Sequence, residues 1–204
     1  EEPIAVKRGD RFILRFYSPL ETIGGGKILN AAPGKKKRFD QEALAGLQIL
    51  DRGNEKEILS QIFLEESSKL TDLEEIIRKF GGTKEETQRW IAELLEEKTL
   101  EKIGDSFLLH KTCLEKAEAK VETLLTDYHR KNPVSGGMLK EEFREKLSSA
   151  MYADDMKKTE LFIRCFLERG LIREQGGLIS QRDFHVEFTE EQKKGIKLGL
   201  DNQV

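Results

Sequence analysis

The sequence predicts a mainly α-helical protein with small β-hairpins, an α+β fold in which two copies of one small domain follow an N-terminal hairpin. Three observations lead to this class. Apolar residues recur at helical spacing through most of the 204 residues. The pattern of a helix and wing over residues 90–104 returns 72 residues later, which indicates an internal repeat. A strictly alternating segment near the N-terminus, by contrast, predicts paired strands.

The N-terminal segment Arg11–Leu29 predicts this hairpin. Phe12, Leu14 and Phe16 alternate with Ile13 and two arginines, a turn follows at residues 17–21, and a second strand begins at Thr22 and carries Gly24–Gly26. The glycines lack the Lys-Ser/Thr of a phosphate loop, so they predict a bulge or a close backbone approach. A two-stranded hairpin is marginal alone in water. We therefore expect residues 1–32 to be the last strands of a barrel whose remainder lies outside this chain.

Residues 33–52 are predicted to be a basic linker and a short helix. A Pro33-Gly34 turn precedes four consecutive cations, which are Lys35, Lys36, Lys37 and Arg38. Two interpretations are open, a solvated connector and a patch that faces phosphate groups. Leucines at helical spacing then predict a helix over residues 40–50.

Residues 53–111 predict the first helical domain. One apolar stripe includes Ile58 and Phe63, and capping boxes at residues 71–74 and 83–86 open two more helices. A short hairpin over residues 100–109 turns at Gly104-Asp105. Three helices followed by a two-stranded wing is the order of a winged helix, a variant of the helix-turn-helix.

Residues 112–183 predict a second winged helix. Helices are expected over residues 114–131, around Leu139, Phe143 and Leu147, and around Phe162, with a turn at Gly176-Gly177 and a longer connection at residues 148–155. Trp90 and Phe162 occupy equivalent positions, so both are predicted to be buried anchors. A third capping box at residues 189–192 predicts that residues 184–204 begin a further, truncated copy.

Composition argues against catalysis and against a membrane span. Net charge is −3, so any nucleic-acid contact has to be local. His110, His129 and His185 are far apart and are expected at the surface or partly buried, and no nucleophile, metal or nucleotide motif is present. Cys113 and Cys165 predict reduced, buried thiols. No apolar run approaches the roughly 18 residues that cross a bilayer, and no signal-peptide pattern is present, so a cytoplasmic protein is expected.

The predicted third helices differ in charge. In the first copy the outward positions carry five glutamates, which would repel a polyanion. In the second copy Lys157, Lys158 and Arg164 could contact RNA modestly. A spacer or protein-docking module is the other interpretation of these helices.

The hairpin resembles a known family. Arg11–Arg15, the turn, and Thr22–Leu29 are similar to the closing strands of the third domain of translational GTPases that carry aminoacyl-tRNA. The turn Tyr17-Ser18-Pro19, the unbroken glycine triplet and the following Pro33-Gly34 with its basic run more specifically resemble bacterial SelB, the selenocysteine-specific elongation factors. The tandem winged helices agree with the C-terminal extension of that family.

The resemblance implies a role in translation. The full protein would be a GTPase that uses GTP and magnesium in an N-terminal domain, whereas this fragment would have no enzyme activity and no cofactor. Its partners would be selenocysteinyl-tRNA, the ribosome, and an mRNA hairpin bound through winged helices beyond this chain. The resemblance makes the turn a possible tRNA-facing element, through Tyr17, Ser18, Glu21 and Thr22. We expect a monomer without membrane contact.

Two other classes of protein remain open from the residues alone. One is a DNA-binding transcription regulator with tandem winged helices, and the other is a structural, chromosome-associated scaffold. Both would lack a GTPase domain upstream.

Overall fold

A computed structural model describes residues 4–31, 33–104, 107–151 and 156–186. The chain divides into two compact units, Glu1–Leu114 and Glu115–Val204. The predicted third capping box and most of the predicted truncated copy at 184–204 lie outside the described residues. None of the helices in the described ranges is long and apolar enough to cross a membrane.

The N-terminal hairpin is formed by β1 (Arg11–Arg15) and β2 (Thr22–Lys27), which are antiparallel. Arg15 pairs with Thr22 and Leu14 with Gly24, so Ile23 is an extra residue and forms a bulge. Gly25 and Gly26 allow close approach to Phe12: a Cβ on Gly26 would be 2.9 Å from the Phe12 ring, and one on Gly25 would be 2.6 Å from its carbonyl oxygen. The close backbone approach predicted for the glycines is therefore confirmed, whereas the bulge lies at Ile23, immediately before them.

The rest of the first unit is one three-helix domain with a wing, preceded by an additional helix. Its elements are α1 (Gln41–Arg52), α2 (Glu55–Glu66), a 3-10 turn (Ser67–Lys69), α3 (Leu73–Phe80), α4 (Lys84–Glu96), β3 (Leu100–Ile103) and β4 (Phe107–His110). Leu50 of α1 is buried in the same core as Leu59, Phe63 and Phe80. The predicted linker helix therefore exists and packs on the domain.

Helix capping agrees only in part with the sequence-based expectation. Thr83 caps α4, because its hydroxyl oxygen accepts a hydrogen bond from the Glu86 amide. The predicted capping box at residues 71–74 is wrong: α3 begins after Asp72 without a side-chain cap, and the Thr71 hydroxyl instead donates to the Glu66 carboxylate at 2.9 Å. The buried carboxylate competes successfully for the hydroxyl, since a buried charge needs every available donor.

The second unit repeats the order and adds a strand. It contains α5 (Lys111–Lys131, which begins in the first unit), β5 (Met138–Leu139), α6 (Lys140–Met151), α7 (Met156–Glu168), β6 (Ile172–Gln175) and β7 (Leu178–Gln181). Strand β5 pairs with β7, so this sheet has three strands in the order β5-β7-β6.

The additional strand corrects one prediction. Leu139 was expected on the buried stripe of a helix, but it lies in β5 with 61% of its surface exposed. Gly137 permits the pairing, since a Cβ there would be 2.5 Å from the Ile179 carbonyl oxygen. A short strand before a helix leaves no clear period in the sequence, so the helical pattern of α6 concealed it.

The repeat is confirmed at the level of backbone hydrogen bonds. The Lys98 and Thr99 amides donate to the Leu95 and Leu94 carbonyls, and the Gly170 and Leu171 amides donate to carbonyls exactly 72 positions after those. Lys98 and Gly170 both have positive φ, 56° and 68°. Thr87 and Thr159 are also 72 residues apart and both buried. Helix α4 and helix α7 therefore end, and enter their wings, in the same way.

In each winged helix an ion pair joins the first helix of that domain to the end of its third helix, and the cationic and anionic positions are exchanged between the two copies. In the first unit the Lys56 ammonium of α2 contacts Glu97 and, at 3.6 Å, Glu93 of α4. In the second unit Glu118 of α5 accepts a hydrogen bond from Arg169, immediately after α7, at 2.6 Å. Lys56 and Glu118 are 62 residues apart. The buried residues Leu59 and Val121 are separated by the same interval, so Lys56 and Glu118 occupy equivalent positions on α2 and α5.

Trp90 does not have the predicted role. Phe162 is completely buried, but Trp90 is only partly buried at the edge of its core. The Arg89 guanidinium lies 4.5 Å from the centre of the Trp90 ring system and covers it from the solvent side. The prediction that the two are equivalent buried anchors is therefore wrong for Trp90.

We expect Phe162→Ala to destabilise the second unit by about 3–5 kcal/mol, because it leaves a large cavity in a closed core. Trp90→Ala should cost less. Trp90 is the single tryptophan of the chain, so its fluorescence follows the first unit, while circular dichroism follows both. In chemical denaturation Phe162→Ala should shift the dichroism transition and leave the fluorescence transition unchanged. A shift of both transitions would contradict two separate cores, and Phe162→Leu, which keeps most of the volume, serves as the milder control.

Candidate nucleic-acid interface

The predicted tRNA-facing turn is fully exposed at the tip of the hairpin. Tyr17 has 97% of its surface exposed, and Ser18, Glu21 and Thr22 are exposed as well. The turn is closed by the Phe16 amide, which donates to the Glu21 carbonyl at 2.8 Å. Tyr17, Ser18 and Glu21 lie between the two strands, and Thr22 is the first residue of β2, paired with Arg15.

The base of the hairpin, in contrast, is fixed to the first winged helix. Arg8 Nε donates to the Phe80 carbonyl at 3.0 Å, and its guanidinium lies 5.4 Å from the centre of the Phe80 ring. Lys27 Nζ lies 3.7 Å from the Asp51 carboxylate, and Leu29 packs against the helical core. The hairpin and the first winged helix are therefore one body.

The four linker cations, Lys35 to Arg38, are exposed and lie immediately before α1. Lys36 Nζ is 3.2 Å from Glu65 Oε1 of α2. The Arg38 guanidinium lies 4.8 Å from the centre of the exposed Phe39 ring. The linker thus follows the surface of the first winged helix and presents its cations to solvent.

The three cations predicted in the second unit lie on one helix, α7. Lys157 and Arg164 are exposed and seven residues apart, so they share a face, whereas Lys158 is half-buried. The neighbouring Glu160 is engaged by Arg144 at 3.1 Å and Lys140 at 3.7 Å. This neutralisation lowers the repulsion that the carboxylate would exert on a phosphate. The linker cations and the predicted turn residues belong to the first unit, and these three cations to the second.

Helix α4 has the acidic outer face that the sequence predicts. Its exposed or half-exposed glutamates are Glu85, Glu86, Glu93 and Glu96, with Glu97 directly after the helix. Lys56 compensates only two of them. A third helix with this surface would be repelled by the phosphates of a major groove.

Sequence reasoning missed a buried polar contact at the end of each wing. In the second unit the backbone amide of Gln181 donates to His129 Nε2 at 3.4 Å. In the first unit the equivalent backbone amide of His110 donates to Ser67 Oγ at 2.7 Å. His129 is only 6% exposed, although it was expected at the surface or partly buried, and its ring stacks on Phe184 at 3.5 Å. The signal was available, since Ser67 and His129 are 62 residues apart, the same interval that relates Lys56 to Glu118.

The surroundings of the two acceptors differ in charge: His129 is neutral, whereas Glu66, the neighbour of Ser67, is ionised. Burial and the nearby Arg173 guanidinium lower the pKa of His129, so it is held neutral. Next to Ser67, burial opposes ionisation of Glu66, but hydrogen bonds from Lys79 and Thr71 outweigh it and lower the pKa of that carboxyl. Because His129 Nε2 accepts the Gln181 amide, the ring proton is on Nδ1, which has no hydrogen-bond partner among the described residues.

Comparison with known proteins finds a similarity within the second unit. Residues 123–180 match the family model of the winged helix of elongation factor SelB. This match confirms the predicted winged-helix fold and the predicted resemblance to SelB for that segment. A solved structure, the mRNA-binding domain of elongation factor SelB from E. coli in complex with SECIS RNA, is similar with a TM-score of 0.46 and 11% identity, over 65% of this chain and 100% of that chain. A search of curated proteins gives no match.

The contact between His129 and the wing predicts a pH dependence. The folded state lowers the pKa of His129, so it binds fewer protons than the unfolded state, where the pKa is about 6.5. Its contribution to stability is complete above about pH 6.5 and is lost as the pH falls below that value. We expect hydrogen-exchange protection of the Gln181 amide, corrected for intrinsic rates, to decrease by up to about tenfold per pH unit in this window.

The chain contains matched controls for this experiment. His129→Gln should remove the pH dependence at Gln181, whereas His185→Gln, at an exposed position, should keep it. An unchanged profile in His129→Gln would show that another group is responsible.

Proposed function

We propose that this chain is the C-terminal part of a selenocysteine-specific translation elongation factor and links a tRNA-carrying GTPase body to the elements that bind an mRNA hairpin. The observation that carries the proposal is the match of residues 123–180 to the SelB winged helix. The partners would be selenocysteinyl-tRNA, an mRNA hairpin and the ribosome, in the cytoplasm, with this part monomeric.

The N-terminal hairpin supports a connection to a larger barrel. Its apolar side chains are exposed on both faces of the ladder, with Phe12 at 40%, Ile13 at 68% and Leu14 at 54%. Such strands are stable in water when further strands or a second layer cover them. In this proposal the remaining strands of a third domain like that of tRNA-carrying GTPases would supply that cover, and the exposed turn would face tRNA.

The proposal assigns nucleotide chemistry to a different part of the factor. The 204 residues contain no phosphate-binding loop, so GTP and magnesium would be bound, and GTP hydrolysed, in the N-terminal domain. A transcription regulator is the less favoured function, because the outer face of α4 is acidic.

Replacing Lys35, Lys36, Lys37 and Arg38 with glutamine tests the proposed contact with RNA. Each lost phosphate contact reduces the dependence of log affinity on log salt by about 0.7–0.9. We therefore expect lower affinity for tRNA and RNA hairpins, a slope reduced by up to about 2.8–3.6 for four contacts, and unchanged sequence preference. Fluorescence anisotropy across a salt series measures both quantities.

Two comparisons make this test specific. A variant with Lys157, Lys158 and Arg164 replaced by glutamine reports the contribution of α7 separately. Random duplex DNA is the third probe. Tight, sequence-selective DNA binding at physiological salt that depends on a third helix would end the elongation-factor proposal in favour of a transcription regulator.

A further inference from the structure

A small groove opens where the hairpin meets the first winged helix. It has a volume of about 280 Å³ and lies between the segment before β1, the segment after β2, and α3. Its polar lining consists of four cations, one carboxylate and one amide, which are Lys7, Arg8, Arg78, Lys79, Glu75 and Asn30. This is an unusual concentration of positive charge in a chain whose net charge is −3.

Two of the four cations form the fixed wall of the groove. Arg8 is held by the Phe80 carbonyl at 3.0 Å and by Glu55 at 3.4 Å, and its side chain is only 18% exposed. Lys79 contacts Glu66 at 2.9 Å and Glu75 at 3.1 Å. Their charges are compensated by these carboxylates, so they shape the groove more than they attract a ligand.

The other two cations, Lys7 and Arg78, are exposed at its rim. Neither side chain makes a hydrogen bond or an ion pair with any residue that the structure describes. Their charges are therefore available to a ligand.

The groove continues into the basic linker through one carboxylate. Glu65 accepts a hydrogen bond from Asn30, which lines the groove, at 3.5 Å, and from Lys36 of the linker at 3.2 Å. One residue of the groove lining and one cation of the linker therefore meet at the same side chain of α2. We call these six cations, Lys7, Lys35, Lys36, Lys37, Arg38 and Arg78, the basic track.

We infer that the basic track binds the sugar-phosphate backbone of RNA, with one phosphate at the groove and others along the linker. This inference rests on the proposed function and specifies where RNA is held. Long cationic side chains at the rim can reach phosphate oxygens, and the fixed wall keeps the groove open. The groove presents no aromatic face and few groups that could distinguish bases, so binding is independent of sequence.

The test removes only the two charges at the rim. In the full chain, Lys7→Gln with Arg78→Gln should lower affinity for a tRNA and for an RNA hairpin. The salt slope should fall by about 0.7–0.9, the value for the one phosphate held at the groove. The matched control is Arg52→Gln with Lys84→Gln, which also removes one exposed arginine and one exposed lysine from this unit. Circular dichroism checks that both variants fold.

The outcomes separate this inference from the proposed function. If the unmodified chain binds RNA and the rim variant binds it with the same slope, the groove is not a phosphate site and the proposed function stands. If the control weakens binding as much as the rim variant, only net charge matters and the inference is wrong. If the unmodified chain binds none of the RNAs, the inference is wrong, whereas the proposed link between the GTPase body and the elements that bind mRNA is not contradicted. Polyglutamate that the unmodified chain binds more tightly than RNA, and the rim variant does not, would point to an acidic protein partner and overturn the choice of RNA.

Discussion

Each winged helix depends on one hydrogen bond, in which a side chain at the end of its first helical segment holds the last amide of the wing. Ser67 has this role for His110, and His129 for Gln181. A two-stranded wing has little apolar surface of its own, so a buried acceptor on the helix fixes where the wing ends. The acceptor differs in chemistry between the copies: a serine hydroxyl holds one wing, and an imidazole whose pKa is lowered by burial holds the other.

The sequence predicted the helices and the wings because their apolar periods are regular. It predicted the repeat because residues such as Ile91 and Ile163 recur 72 positions apart, and both of these are buried. It failed where a single tertiary contact decided the outcome. Thr71 turns to the buried Glu66 instead of capping α3, and Arg89 covers a Trp90 that remains partly exposed. Such choices depend on residues distant in sequence or on solvent access, which periodicity does not contain.

The candidate interface was predictable only in its charges. Consecutive cations in the linker are visible in the sequence, but the anchoring of the hairpin by Arg8 requires the fold, since Arg8 and Phe80 are 72 residues apart. This anchoring makes the proposed link between the GTPase body and the elements that bind mRNA less flexible. Residues 33–40 do not form a loose tether between hairpin and helices, because Arg8, Leu29 and Lys36 all contact the winged helix. A barrel completed by the hairpin would therefore be oriented by the first winged helix itself.

Two similar domains in one chain also raise the problem of exchanged helices, and the reversed ion pair opposes it. If α2 packed against α7, Lys56 would face Arg169; if α5 packed against α4, Glu118 would face Glu97. Both exchanged arrangements place like charges together, whereas both native ones pair opposite charges. The apolar cores alone discriminate poorly, because their equivalent positions carry similar residues such as Leu59 and Val121. The ion pairs thus contribute more to the choice of partner helix than to the stability of either domain.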